Sequence, residues 1–335
     1  MVTIKNIAEM AKVSRTTVSR VLNNSGYVSE DVRKRVEKVI EETGYIPSHY
    51  AKSLRTKKTK IVGVILPTIQ TETSSRIVTG IGKEISQHGY EILLANTNLN
   101  QEKEIEYLEL LKERRVDGII LIATNTEPAL VEKIKEMNIP LVMIGQEANG
   151  IMSVTFDDYH AARELTRTFI KKGHEDIAFI GVDETDRAVG YRRKKGFLDE
   201  MAAHEINVNE EWIQKAIFDI DSGYDTMEKI LSKTGAISKR SAPTAVIAVT
   251  DRLAIGAINY MKKQGIRIPE DVAIAGFGAS EITRYLDPPL TTVDYHNEKA
   301  GEEAARQLFN RMQAQTQEGT EKVVLNYRLV LRKSL

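Results

Sequence analysis

Through the first forty-four residues apolar side chains recur at helical spacing. Ile7, Ala8 and Ala11 share a face in residues 4–11, Val18, Val21 and Leu22 in residues 15–23, and Val32, Val36, Val39 and Ile40 in residues 30–42. Ser14 and Ser29 stand where a hydroxyl can accept an unpaired backbone N–H at a helix start. Gly26 and Gly44 break the second and third segments, and Val13 sits in a tight turn between the first two. Two short helices joined by such a turn, with a third as buttress, predict a helix-turn-helix. A small three-helix bundle without a ligand has the same pattern.

The next stretch reads differently. Pro47 opens a segment, residues 48–55, about two turns long and too short to be stable alone. It runs into a basic linker. A helix formed only on docking fits insertion into the DNA minor groove, with Leu54 as the wedge between base steps; a plain linker is the alternative. From residue 61 short apolar runs appear at 61–66, 90–95, 118–122, 140–144, 177–180, 245–249 and 272–277. Amphipathic segments at 74–88, 101–114, 158–172 and 252–264 separate some of them. Buried strands alternating with helices predict an α/β fold of parallel sheets covered on both faces. The elements are too many for one ordinary sheet, so two doubly wound lobes are expected, with a ligand at the carboxyl ends of the strands. The predicted organisation is a DNA-binding domain at 1–46, a hinge helix and linker at 47–60, and a two-lobed ligand-binding domain at 61–335.

Charge sharpens this division. The 335 residues carry no net charge, yet residues 1–60 hold +7 and the remainder −7. A basic head on an acidic body suits nucleic acid, although a solvated basic terminus looks the same. Candidate DNA contacts lie on the outward face of the second helix. Arg20 can grip a guanine edge with two hydrogen bonds, and threonine methyls can meet thymine methyls. Arg15, Thr16, Thr17, Ser19 and Asn23 complete that surface, and Thr3, Ser14 and Ser19 are short hydroxyl donors suited to phosphates. Ala51 and Lys52 accompany Leu54 in the hinge.

Other chemistries find little support. The absence of cysteine excludes disulfides, thiolate metal sites and cysteine nucleophiles, and the six histidines show no metal-ligand spacing. No cofactor is implied. There is no apolar run of membrane-crossing length and no secretory pattern at the start, so a cytoplasmic location is expected. Nucleophile-elbow, P-loop, dinucleotide and zinc-protease motifs are missing, and Gly276-Phe277-Gly278 lacks a third glycine. A binding protein is expected rather than an enzyme; a sugar-modifying enzyme with a DNA-binding head is the distant alternative. Of the adjacent Asp157 and Asp158, one is expected to cap a helix.

The runs Val2-Thr3-Ile4-Lys5-Asn6-Ile7-Ala8, Val13-Ser14-Arg15-Thr16-Thr17-Val18-Ser19-Arg20-Val21-Leu22-Asn23 and Gly44-Tyr45-Ile46-Pro47 resemble the head of the lac repressor and galactose repressor family. Similar runs continue along the chain, at Val116-Asp117-Gly118-Ile119-Ile120, Gly173-His174, Gly196-Phe197, Pro269-Glu270-Asp271-Val272 and Pro289-Leu290-Thr291-Thr292-Val293. The resemblance implies a homodimer on a pseudo-palindromic operator and a body like periplasmic sugar-binding proteins. By position, Arg15, Thr16 and Arg20 would read bases, and Ala51 and Leu54 would enter the minor groove. Asp157, Arg187, Arg193, Phe218 and Thr250 or Asp251 would line the effector cleft. No leucine-repeat tail follows Arg332-Lys333-Ser334-Leu335, which favours a dimer over a tetramer.

Three departures from the family stand out. Gly278 and Gly145 occupy positions where many members carry aspartate. The run Thr71-Glu72-Thr73-Ser74-Ser75-Arg76 replaces an Asn-Pro-aromatic run. Lost volume suggests a roomier, more polar cleft, suited to a sugar of the sucrose or fructose type more than to a flat purine. A catabolite regulator controlled by a phosphorylated carrier protein is the alternative. The sign of the response, induction or co-repression, stays open.

Overall fold

The computed structural model describes residues 2–45, 58–232, 242–313 and 322–335. The hinge positions Ala51, Lys52 and Leu54 lie outside the described residues. The chain divides into two compact units, Met1–Lys60 and Ile61–Leu335.

The first unit holds three helices, α1 (Ile4–Met10), α2 (Arg15–Leu22) and α3 (Glu30–Thr43). Each boundary has a local cause. Thr3 caps α1 in a reciprocal arrangement with Asn6. Lys12 takes a positive φ of 52°, and the Val13 N–H reaches the Ala8 carbonyl at 2.9 Å, which closes the turn into α2. Ser14 accepts the Thr17 N–H at 3.1 Å, the cap expected for α2. Ser29 precedes α3 but its side chain makes no cap bond; Glu30 and Asp31 in the first turn suit the positive end of the helix instead. Gly44, at φ 60°, ends α3 in the left-handed conformation. Ile7, Ala8, Ala11, Val18, Val21 and Val36 form the core.

The second unit is a pair of lobes. The first lobe's sheet contains β1 (Ile61–Leu66), β2 (Glu91–Asn96), β3 (Gly118–Ile122), β4 (Leu141–Ile144), β5 (Met152–Phe156) and β11 (Lys322–Leu325), in the order β11-β5-β4-β3-β1-β2. The second contains β6 (Ile177–Gly181), β7 (Ile213–Lys215), β8 (Ala245–Ala248), β9 (Ala273–Phe277), β10 (Thr291–Asp294) and β12 (Arg328–Val330), in the order β12-β10-β9-β8-β6-β7. All pairings are parallel except β10 with β12. The two orders match strand for strand, so the lobes repeat one doubly wound plan. The central strands are apolar throughout because helices cover both faces.

Helices α4 (Glu72–Gln87), α5 (Glu102–Glu113) and α6 (Pro128–Glu136) belong to the first lobe, and α7 (Asp158–Lys171), α8 (Arg193–Ala203), α9 (Ile220–Ser232) and α10 (Asp251–Lys263) to the second. The chain then returns, so that α11 (Asn297–Gln313) packs on α4 in the first lobe. It therefore passes between lobes after β5, after β10 and between β11 and β12. Three helix pairs approach closely enough to require glycine, among them α7 with α8, where a Cβ on Gly196 would lie 2.4 Å from the Tyr159 carbonyl oxygen. A Cβ on Gly256 of α10 would lie 2.0 Å from the Ile220 carbonyl oxygen of α9, and one on Gly301 of α11 would lie 2.0 Å from that of Ile77 in α4.

Candidate DNA-reading face and ligand cleft

On the head, burial of Val18 and Val21 turns the opposite side of α2 to solvent. Arg15, Thr16 and Arg20 are exposed there and make no hydrogen bond or ion pair among the described residues. They are available to a partner. The other polar candidates are already engaged. Thr17 bonds the Ser14 hydroxyl at 2.9 Å, and the Asn23 amide donates to the Ser19 carbonyl at 2.6 Å and to its hydroxyl at 3.2 Å. Thr3 spends its hydroxyl on Asn6 at 2.6 Å. These residues shape the helix ends, while Arg15 and Arg20 on the exposed face of α2 keep their guanidinium donors free.

In the body a cavity of about 200 Å³ lies between the lobes, walled by the carboxyl ends of strands from both sheets. Pro67 and Thr68 follow β1, Thr124 follows β3, Gly145 and Gln146 follow β4, Thr250 follows β8 and Gly278 follows β9. Arg193, Phe218, Thr250 and Asp251 are all brought to this cavity. Asp157 is not. It caps α7, accepting the His160 N–H at 3.3 Å and meeting its imidazole at 2.8 Å. The neighbouring Asp158 points inward instead and lines the cavity. Arg187 opens onto an adjoining compartment.

Arg193 and Asp158 form a buried ion pair, 6% and 1% exposed, with Nε donating to Oδ1 at 2.7 Å. A second guanidinium nitrogen donates to the Val249 carbonyl, and the group lies 4.7 Å from the Phe277 ring centroid and 5.0 Å from that of Tyr295. The arginine is thus fixed by a carboxylate, a carbonyl and two rings. A six-residue π-helical turn, Arg187–Arg192, leads into α8 and sets Arg193 inward; such turns often mark functional sites. Asp186 caps that turn through the Val189 N–H at 2.9 Å and accepts from Gln146 of the other lobe at 2.7 Å. Burial pushes its carboxyl upward. Asp251 is likewise raised by burial, though the Thr292 hydroxyl and the Ser280 N–H and hydroxyl donate to it at 2.6, 2.8 and 2.9 Å.

Sequence reading missed Asp158, Asp186, Gln146, Phe156, Phe277 and Tyr295, which also line the cavity. Most follow or end a strand, so the residue after each apolar run was the available signal. The two departure glycines are conformational as well as small: Gly278 has φ 131° and Gly145 φ 89°, where side chains are rarely tolerated.

Comparison with known proteins agrees with both halves. Residues 3–48 match bacterial regulatory proteins of the lacI family, and residues 166–335 match a periplasmic binding protein-like domain. The HTH-type transcriptional repressor PurR of Pasteurella multocida is 32% identical over 338 residues, covering 100% of this chain and 99% of its own. PurR of Salmonella paratyphi B is 32% identical over 339 residues, covering 100% and 97%. The structure of the regulator CelR in complex with cellobiose shares 27% identity at a TM-score of 0.75, covering 100% of both chains. The lac repressor dimer bound to operator and anti-inducer shares the fold at a TM-score of 0.87 with 24% identity, covering 99% of this chain and 98% of its own. The chain belongs to the lacI family of bacterial regulatory proteins, DNA-binding transcriptional regulators with a ligand-binding body.

Proposed function

We propose that this protein is a homodimeric repressor of sugar-utilisation genes, and that a small sugar held between its lobes sets its affinity for a pseudo-palindromic operator. Arg15, Thr16 and Arg20 read base edges. Catalysis has no part in the cycle.

The observation that carries the sugar reading is the fixed Asp158–Arg193 pair beside Asp186 and Asp251. Each carboxylate has about four lone-pair sites. Asp158 accepts from Arg193, and Asp186 from Gln146 and the Val189 N–H. Unused acceptors facing a cavity suit a ligand rich in O–H donors, and the half-buried Phe218 offers an apolar face for a ring. A ligand that binds one arrangement of the lobes better than another shifts operator affinity by that difference.

A purine is the second reading, favoured by the PurR relatives and by the aromatic lining of Phe156, Phe277 and Tyr295. A thermal-shift and calorimetric comparison of sucrose and fructose with hypoxanthine and guanine decides between them, since a ligand of the native state raises the melting midpoint by mass action. Heat and a midpoint shift with a sugar alone are expected. A response to a purine alone would replace the sugar reading.

A further inference from the structure

A second compartment of about 180 Å³ adjoins the main cavity and shares Gln146, Phe156 and Asp158 with it. Its own walls are Thr126, Glu147, Thr155, Arg187 and Arg192. Thr155 on β5 is 4% exposed, and its hydroxyl has no hydrogen-bond partner. A buried hydroxyl left unpaired is costly, so an occupant that bonds it gains.

The charges here do not cancel. Glu147 is matched by Arg192 at 3.0 Å and by Lys322 at 2.6 Å, and Asp158 by Arg193 at 2.7 Å. Arg187 makes no ion pair among the described residues. Its guanidinium carbon lies 3.9 Å from the centroid of the Tyr191 ring. Stacking on a ring positions a guanidinium without using its in-plane N–H donors. An exposed, oriented donor fork therefore stands at a compartment whose acids are already neutralised.

We infer that this compartment binds an anionic oxygen group, a phosphate or carboxylate, gripped by Arg187 with Thr155 as a second donor. Fork geometry suits such groups. The inference rests on the reading of the cleft as the ligand site. The group either belongs to the effector itself or arrives as a separate anion.

The test uses the full chain and three probes: inorganic phosphate, fructose and fructose 6-phosphate, titrated by calorimetry. Saturable phosphate binding is expected, weakened at least tenfold by Arg187→Met. Thr155→Val removes the unpaired hydroxyl, so it is expected to fold at least as stably as the parent while binding phosphate several-fold more weakly. Arg163→Met, whose side chain pairs with Glu200 at 2.7 Å and is not part of this compartment's wall, is expected to leave phosphate binding unchanged. Fructose 6-phosphate binding far more tightly than either part supports an anion carried by the effector; independent binding of sugar and phosphate supports a separate one. Absence of saturable phosphate and sugar-phosphate binding, or affinities that Arg187→Met does not alter, overturns the inference. Silence with fructose alone counts only against the sugar reading, because phosphate binding is read separately.

Discussion

The Glu72 carboxylate accepts the backbone N–H of Glu281 at 2.7 Å, which ties the first turn of α4 in one lobe to the segment after β9 in the other. Arg76 pairs with Glu72 and donates to the Ala279 carbonyl at 3.0 Å. The same segment is held from its own side by Asp251, through the N–H and hydroxyl of Ser280. Because Asp251 and Ser280 line the cavity, the ligand site and the contact between lobes share one short piece of chain. The polar run Thr71–Arg76, expected to enlarge the cleft, instead directs both of its charges across it.

Glu72→Ala should therefore loosen the lobes. A partly exposed charge-assisted bond contributes about 1 kcal/mol after solvent screening, roughly a fivefold change in a closed-to-open ratio. Small-angle scattering should show a larger radius for the variant, and effector affinity should fall by a similar factor. Glu72→Gln keeps an acceptor and should sit between. An unchanged radius in both variants would mean that other contacts hold the lobes together.

Asp157 and Asp158 are adjacent but do opposite work, and substitutions should separate them. Arg193→Met leaves the Asp158 charge buried and alone, which costs about 3–5 kcal/mol. The double change Asp158→Leu with Arg193→Met removes both charges and should recover much of the loss. Asp157→Ala removes only a cap, about 1 kcal/mol, and should leave effector affinity intact. Urea unfolding of the four proteins checks the order; a single Arg193→Met as mild as the double would contradict the buried pair.

These two residues also mark how far the sequence could be read. The head was legible because its caps and its Val18–Val21 face are local features. The alternation of strands and helices gave two lobes, but not the three passages between them. Those depend on β11 pairing with β5 and β12 with β10, partners far apart in the chain that carry no local signature. Asp157 was placed in the cleft one position early. The spacing Asp157 to His160 is that of a helix cap, and that cap sends Asp158 inward. Glu104 gave no signal at all. It stands in the first turn of α5, an ordinary place for an exposed acid, yet the side chains of Thr124 and Asn125 close over it at 3.0 and 2.8 Å.

Glu104 should leave a trace in the dependence of stability on pH. Burial raises its pKa from 4.5 to about 7. The folded chain then holds a proton that the unfolded chain releases near the ordinary value. Its contribution is most favourable below about pH 4.5, declines as pH rises and is fully lost above about pH 7. Asp186, facing it, adds to the upward shift when charged. Glu104→Gln should therefore flatten the fall in unfolding free energy between about pH 4.5 and pH 7, the range set by these two values. Parallel curves for parent and variant would show that Glu104 does not titrate in this window.

The close helix crossings predict opposite signs for two glycines. A Cβ at Gly256 meets backbone, so Gly256→Ala must push α9 from α10 and should cost about 1–3 kcal/mol. Gly82 lies inside α4 with only the Ile92 side chain near, at 3.8 Å. Gly82→Ala should stabilise by about 0.5–1 kcal/mol, through helix propensity alone. Thermal melting should move down for the first and up for the second. A neutral Gly256→Ala would indicate that the helix pair can separate freely.

On the head, the free face of α2 carries the strongest expectation for DNA. Ser14, Thr17, Ser19 and Asn23 are bonded within the helix ends, whereas Arg20 is exposed and uncommitted. An arginine with two free donors on a major-groove helix discriminates by matching the acceptors of one guanine. Arg20→Ala should thus weaken operator binding by about 1–3 kcal/mol and lower selectivity at a single base position in each half-site. Asn23→Ala should act mainly on the end of the helix, lowering stability with a smaller and sequence-independent loss of binding. Fluorescence anisotropy with operators substituted one base pair at a time separates the two effects. A uniform loss across all substituted operators for Arg20→Ala would make it a phosphate contact and move base reading to Arg15 and Thr16.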